Sequence, residues 1–303
     1  MNQPKNLFVE EFSPSMTRRI EVSRTIFSQR TAFQQADVVV TPDFGTTLFL
    51  DGRFQTSERD EFFYHESLVH PAMVLHPNPK TVLIIGGGDG GTLEEVCRYR
   101  TVERVRMVEL DPEVVTICRE HLQSICGQAF DDPRLELSIG DGRAFIEQSK
   151  ERFDVILLDL TDPLEPSKFV YTQEFYQLCR EHLNDQGILA LHNDSPFFYP
   201  DAFNVISKTL DTAFAHKLQY LTFIPGYMLD FAFAVCSQQP LAQLDGEAVR
   251  RRLRERGIDR LMSYGPATHP HRSSLPGYAL KILEAPCRVS TDSAPYVLGA
   301  VVN

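Results

Sequence analysis

The chain reads as an α/β protein: a parallel, helix-flanked sheet with an antiparallel close, behind a small antiparallel β-unit. Three observations predict this. Residues from about 80 to 237 alternate strand and helix patterns. Two runs within that stretch, Thr81 to Ile85 and Phe153 to Leu158, are short, apolar and bounded by turn residues, as buried parallel strands are. The residues before about 70 instead alternate β-rich runs with turns. The expected division is therefore an N-terminal β-domain over 1–70 and a larger α/β domain over 71–303.

Each element has its own signal. Ile20 to Ser28, Phe33 to Val40 and Thr46 to Gly52 are rich in β-branched and aromatic residues, with Asp43-Phe44-Gly45 as the turn between the last two. Thr81 to Ile85 leads into a helix from Gly91 to Tyr99. The strand Arg104 to Leu110 leads into a helix over Pro112 to Leu122, with Pro112 suited to a first turn. Leu135 to Gly140 is a strand, Arg143 to Gln148 a helix, and Phe153 to Asp159 the next strand. A helix around Gln173 to His182 precedes the strand Gly187 to Asn193. A helix from Ala202 to Phe214 precedes Lys217 to Ile224, and Asp230 to Ser237 closes the sheet. The basic run Val249 to Gly257 reads as the solvated face of a C-terminal helix.

Bulk composition excludes some functions. The 303 residues carry 30 Lys and Arg against 41 Asp and Glu, a net charge of −11. A sequence-independent nucleic-acid binder needs a basic face, so no nucleic-acid partner is expected. An acidic chain suits a cationic ligand. Cys97, Cys118, Cys126, Cys179, Cys236 and Cys287 show no zinc spacing and read as reduced thiols of a cytoplasmic protein. No run is long and apolar enough to span a membrane, and the N-terminus has no secretory h-region.

The chemistry begins at the strand ends. Gly86-Gly87-Gly88-Asp89-Gly90-Gly91 follows one apolar strand and Asp159-Leu160-Thr161-Asp162-Pro163 follows another. Ligands of open α/β sheets bind outside the carboxyl ends of the strands. Three carboxylates, Asp89, Asp159 and Asp162, therefore face one crevice and call for a cation to offset their repulsion. Glu109 ends the next strand about 20 residues after the glycine loop, where an acid accepts the hydroxyls of a ribose. Asp89 inside the loop opposes a phosphate on the helix N-terminus. A nucleoside without phosphate, such as an adenosyl sulfonium, fits better than a dinucleotide. Asp141, followed by Gly142, adds a carboxylate at a third strand end, placed to accept from an adenine amino group. A decarboxylated donor with a bare aminopropyl tail suits Asp89 and Asp159 better than one whose tail ends in a carboxylate.

On these residues the chain resembles the spermidine synthase (polyamine aminopropyltransferase) family. The resemblance spans about Phe33 to Leu283 and rests on Leu50 to Glu66, His76 to Val96, Val108 to Asp111, Gly140 to Arg143 and Leu158 to Pro166. It implies a Rossmann-like, methyltransferase-type domain behind the β-domain and a homodimer or homotetramer. It implies aminopropyl transfer from decarboxylated S-adenosylmethionine, a co-substrate, to putrescine, with no prosthetic group and no metal. Gln34, Asp89, Glu109, Asp141, Gly142 and Pro166 would hold the donor. Tyr64, His65, Asp89, Asp159 and Asp162 would line the polyamine channel, with Tyr227 there in place of an aromatic that the family pattern has and this chain lacks. Asp159 would be the catalytic base, and Leu160 to about Tyr171 a lid that excludes water from the sulfonium.

The chain departs from the family pattern in three places. Glu165 and Ser167 replace a glycine and an alanine of the lid. His192-Asn193-Asp194-Ser195-Pro196 replaces a glutamine-containing segment. Gly226-Tyr227-Met228-Leu229-Asp230 replaces an aromatic-glycine segment, and the chain has no tryptophan. The acceptor therefore stays open between putrescine, agmatine, cadaverine and a longer polyamine, with Glu165, Asp194 and Asp230 as extra acidic sites or plain surface residues. An S-adenosylmethionine-dependent amine N-methyltransferase and a nucleoside-binding protein without turnover are the alternatives.

Overall fold

The structure is a computed structural model that describes residues 6–13, 16–164 and 167–299. Glu165 and Pro166, expected in the lid and at the donor, lie outside the described residues.

The N-terminal part forms two antiparallel sheets. Strands β1 (Leu7–Ser13) and β2 (Met16–Glu21) make a hairpin, and β3 (Arg24–Arg30), β4 (Gln35–Thr41), β5 (Gly45–Leu50) and β6 (Arg53–Ser57) pair in sequence order. The expected turn at Asp43 to Gly45 joins β4 to β5. The run Ile20 to Ser28, expected as one strand, is divided between β2 and β3 at Val22-Ser23. Neither residue is a glycine or proline, so the alternation runs across the break without a turn signal.

Helix α1 (Glu61–Leu75) follows, and its residues from Tyr64 onward are buried. A helix apolar on all sides must be enclosed. It packs on helix α2 (Gly91–Cys97) and across one face of the large sheet. The expected junction at 70/71 falls inside α1; a junction at the turn of residues 58–60 would keep the helix whole.

The large sheet continues with β7 (Thr81–Gly86), β8 (Arg104–Glu109), β9 (Leu135–Ile139), β10 (Phe153–Asp159), β11 (Leu183–His192), β12 (His216–Ile224) and β13 (Leu229–Ser237). Its order is β12-β13-β11-β10-β7-β8-β9. The strands from β11 to β9 are parallel; β13 pairs antiparallel with both β11 and β12. Helices α3 (Pro112–His121), α4 (Gln123–Cys126), α5 (Gly142–Gln148), α6 (Gln173–Glu181) and α7 (Pro200–Asp211) lie along the sheet, and α8 (Gly246–Glu255) and α9 (Gly277–Glu284) complete the chain. The predicted parallel sheet with an antiparallel close is what forms, and the architecture is Rossmann-like with a small N-terminal antiparallel unit. Buried side chains from β7, β8 and β10 build the core on both faces, which is why those strands read as near-continuous apolar runs.

The chain order reverses at β7: β8 and β9 lie on one side, β10 and β11 on the other. That reversal opens a crevice between the ends of β7 and β10.

The basic run is solvated as expected at the exposed Arg250, Arg251 and Arg254, but not along its whole length. Arg252 donates to the carbonyl oxygens of Val74 at 2.6 Å and Leu75 at 3.1 Å. Arg256 is buried and donates to the carbonyls of Met73, His76 and Pro77. These two arginines satisfy the carbonyls that the end of α1 leaves without helical partners, where positive charge is also favoured. They are held in the fold, not on a solvated face.

Candidate active site

Two strand ends place the chemistry. In the ladder, Gly86 at the end of β7 stands opposite Asp159 at the end of β10. Gly86 has φ +83°, and a Cβ there would lie 2.0 Å from the Asp159 carbonyl oxygen. Only glycine lets the loop turn so close to the neighbouring strand. The turn is fixed by Gly87 N donating to Asp159 O at 2.9 Å. Asp89 then accepts from the N–H of Gly91, the first residue of α2, at 3.0 Å.

Above this turn α1 contributes Tyr64 and His65. The Tyr64 hydroxyl donates to Asp159 Oδ1 at 3.0 Å. Asp159 Oδ2 is buried with no hydrogen-bond partner among the described residues. His65 is 1% exposed and fully engaged. Its Nδ1 meets Glu61 Oε2 at 2.7 Å and its Nε2 faces Asp89 Oδ2 at 3.4 Å. Nitrogen or oxygen atoms of His65, Asp89 and Asp159 all lie within 4.8 Å of one another, close enough to share a cation.

The charges follow from these contacts. Burial would lower the His65 pKa, but Asp89 and Glu61 outweigh it and hold the imidazolium well above its usual range. Burial would raise Asp89, but His65 and the Gly91 N–H hold its carboxyl below the ordinary range. Asp159 is raised, first by burial and then by repulsion from Asp89, against the pull of His65 and the Tyr64 hydroxyl. Two of the three expected carboxylates, Asp89 and Asp159, thus have a resident countercharge in His65. The crowding expected of Asp162 falls elsewhere. Asp162 lies 3.5 Å from Arg53 Nη1, and its charge, after burial, pushes the Asp194 carboxyl well above the usual range.

Asp89, Asp159 and His65 open on a cleft of about 420 Å³ that is also lined by Gln34, Tyr64, Glu109, Asp141, Gly142, Asp162, His192, Asp194 and Tyr227. All the described site residues predicted from sequence therefore come to one cleft. On the nucleoside side, Glu109 accepts from Asp111 N at 2.9 Å, and burial first pushes its carboxyl up to about 7. Gln34 reaches across from the small sheet to Asp111 Oδ2 at 3.2 Å, beside Thr31 Oγ1 at 2.6 Å. Asp141 caps α5 by accepting from Ala144 N at 2.8 Å. A Cβ at Gly142 would stand 2.3 Å from Ile85 Cγ2, so glycine is needed for that close approach.

At the opposite end, Tyr227 donates to Gln55 O at 2.7 Å and its ring meets Phe54, Tyr64 and Phe231 edge-on. The segment is pinned by buried Asp60, which accepts from Gly226 N at 2.5 Å, and by Arg18, which donates to Gly226 O. Asp194 is buried on the cleft, whereas Asp230 is exposed and away from it. His192 Nε2 stands 2.8 Å from Leu160 O, and the Tyr171 hydroxyl donates to Thr161 O at 2.9 Å. These two contacts hold the first residues of the expected lid.

Sequence reasoning missed Asp60, Glu61, Arg53 and the β1–β2 hairpin, whose Glu10 and Arg18 also line the cleft. Hairpin residues alternate ordinarily and carry no motif. Glu61 lies within the Leu50 to Glu66 segment already singled out, four residues before His65, a helical spacing that pairs the two.

Comparisons with known proteins agree with this geometry. Residues 61–246 match the family model of the spermine/spermidine synthase domain, and residues 7–58 match that of the spermidine synthase tetramerisation domain. The chain is 38% identical over 280 residues to a polyamine aminopropyltransferase of Nitrosomonas europaea, covering 92% of this chain and 86% of that one. It is 42% identical over 244 residues to polyamine aminopropyltransferase 1 of Hyperthermus butylicus, covering 78% and 84%. A spermidine synthase solved with the transition-state analogue AdoDATO superposes with a TM-score of 0.87 at 34% identity, covering 93% of this chain and 97% of that one. The spermidine synthase of Thermotoga maritima gives a TM-score of 0.84 at 32% identity, covering 93% and 96%. With both family models matched in order and the carboxylates gathered at one strand crossover, the chain belongs to the spermine/spermidine synthase family of polyamine aminopropyltransferases.

Proposed function

We propose that the protein transfers the aminopropyl group of decarboxylated S-adenosylmethionine to putrescine, giving spermidine and methylthioadenosine. The observation that carries this reading is the meeting of Asp89 and Asp159 beside His65 where β7 and β10 end, all three on the lining of the cleft. That arrangement suits a cationic tail and an attacking amine, and opposes the carboxylate of S-adenosylmethionine itself.

Gln34, Glu109, Asp141, Gly142 and Pro166 hold the methylthioadenosine part, and Asp89 holds the aminopropyl tail. The acceptor arrives as an ammonium with a pKa near ~10.4 and attacks only after losing a proton. Asp159 takes that proton, and its raised pKa narrows the mismatch. The amine nitrogen then bonds to the methylene carbon, and the carbon–sulfur bond breaks with its electron pair on sulfur. Tyr64 orients Asp159, while Asp162 and Tyr227 line the acceptor's path. His65 acts on the amine through Asp89, since both of its nitrogens are occupied. Holding the two reactants in line contributes much of the rate.

A second reading has its own support. Asp194 is 1% exposed, lines the cleft, and carries one buried oxygen without a hydrogen-bond partner among the described residues. A second ammonium near Asp162 and Asp194 suits a longer polyamine acceptor. Incubating the protein with the decarboxylated donor and putrescine, cadaverine, agmatine or spermidine, with products read by mass spectrometry, separates the two. Product from putrescine at the highest kcat/KM supports the first. Product from another amine alone replaces it.

The match to a tetramerisation domain supports a homo-oligomer, dimer or tetramer. All six cysteines are unpaired, which fits a cytoplasmic location. No helix of the described residues is long and apolar enough to cross a membrane.

A further inference from the structure

We propose that Arg53 limits the length of the acceptor: its guanidinium, beside Asp162 and Asp194 on the cleft, already takes up the carboxylate charge that a third amine would need, and so holds the site to diamines. The proposal rests on the aminopropyl-transfer reading above. It turns on a count of charge. The amine that attacks is neutral when it does so, and the others stay protonated. A diamine such as putrescine therefore brings one ammonium to the cleft, and a triamine such as spermidine brings two.

Local structure puts Arg53 in place. Asp51 at φ +46° and Gly52 at φ +78° form the two-residue turn between β5 and β6. Positive φ at both positions is the type I′ hairpin turn, which matches the twist of the strands it joins. The turn leaves Arg53 as the first residue of β6, paired in the ladder with Leu50. From there Arg53 Nη1 stands 3.5 Å from Asp162 Oδ2, 109 residues away in sequence. That is long for an arginine–carboxylate contact, and the arginine side chain is 44% exposed, so the pair does little for stability. Its effect falls on the cleft, which both residues line.

Two carboxylates share this guanidinium. Asp194 is buried on the same cleft and carries one oxygen without a hydrogen-bond partner among the described residues. Burial and the Asp162 charge push its carboxyl up, and Arg53 pulls it down, so the three groups act on one another. Tyr199, which also lines the cleft, feels all three. Glu10 and Arg18 line the cleft as well, but they pair with each other at 2.6 Å and their charges cancel. Two carboxylates against one guanidinium leave one negative charge, enough for one ammonium. A diamine completes that balance. A triamine exceeds it by one positive charge, and partial burial keeps the repulsion strong. Discrimination by an unfavourable charge placed against the wrong partner is an effective route to specificity. Removing the Arg53 charge opens the site to the longer acceptor.

The test uses the full chain, the decarboxylated donor, putrescine and spermidine, with kcat/KM measured for each amine. In the parent, putrescine should exceed spermidine at least tenfold. Arg53→Met keeps the apolar stem and removes the charge; the ratio of spermidine to putrescine should rise at least fivefold. Arg53→Lys keeps the charge, and its ratio should stay within twofold of the parent's. A ratio unmoved in Arg53→Met overturns the proposal. So does an equal fall for both amines, because Arg53 then only holds Asp162 in place, and so does a rise in Arg53→Lys as large as in Arg53→Met, because shape and not charge then decides. Should the variants fail to fold, spermidine acetylated on one terminal nitrogen decides with the unaltered chain: it keeps the length and loses the third charge. The parent should use the acetylated amine at least threefold better than spermidine, and equal or poorer use overturns the proposal. A parent that prefers spermidine to putrescine overturns it and leaves aminopropyl transfer standing. A parent inactive on every amine overturns both.

Discussion

Tyr64 and Asp159 meet at 3.0 Å across 95 residues of sequence, the phenol on one carboxylate oxygen while the other is buried without a hydrogen-bond partner among the described residues. The hydrogen bond holds the carboxylate in one orientation. It also favours the ionised form of a carboxyl that burial and Asp89 push toward neutrality.

Removing that bond leaves the base in place but misdirected. Tyr64→Phe should lower kcat by about tenfold, the rate equivalent of the ~1.5 kcal/mol that one such bond contributes. Asp159→Asn should lower it by about 10²–10⁴, the range of a lost general base. In both variants methylthioadenosine affinity should change far less than kcat. Steady-state kinetics beside calorimetry checks the order, and a fall in affinity matching the fall in kcat removes the base role.

Donor binding should depend on Glu109. Its carboxyl, raised to about 7 in the free protein, must be ionised to accept ribose hydroxyls. The sign follows from the raised value: the carboxylate is populated above about pH 7 and lost below it. Methylthioadenosine affinity should therefore weaken as pH falls from 8 to 6, with a proton released on binding near neutrality. Calorimetry in two buffers of different ionisation enthalpy measures that proton, and Glu109→Gln should bind weakly and without the pH dependence.

Arg256 should matter for stability and not for chemistry. Its guanidinium satisfies carbonyls of Met73, His76 and Pro77 in a buried setting. Arg256→Met leaves those acceptors without a donor, and the cost should be about 2–3 kcal/mol. Urea unfolding gives the shift, and kcat of the folded fraction should stay within twofold.

The parallel core was legible because its signals are local. Thr81 to Ile85 and Phe153 to Leu158 are apolar runs that must be buried on both faces, and the glycine loop with Glu109 fits one nucleoside-binding arrangement. The surroundings were less legible. Val22-Ser23 breaks a strand with no glycine or proline. Arg252 and Arg256 resemble any charged helix face until Val74 and Met73 are found against them, 178 and 183 residues away in sequence.

The sequence by itself determined the sheet, the strand ends and the acidic character of the crevice between Asp89 and Asp159. Those depend on neighbours within a few residues: hydrophobic period, turn glycines, the carboxylate after each strand. The tertiary structure alone decided how that charge is balanced. It brought α1 over the crevice, so that His65 answers Asp89 and Tyr64 answers Asp159, and it turned Asp162 toward Arg53 and Asp194. Coulomb energy depends on distance in space and on burial, and neither is written in the spacing of residues along the chain.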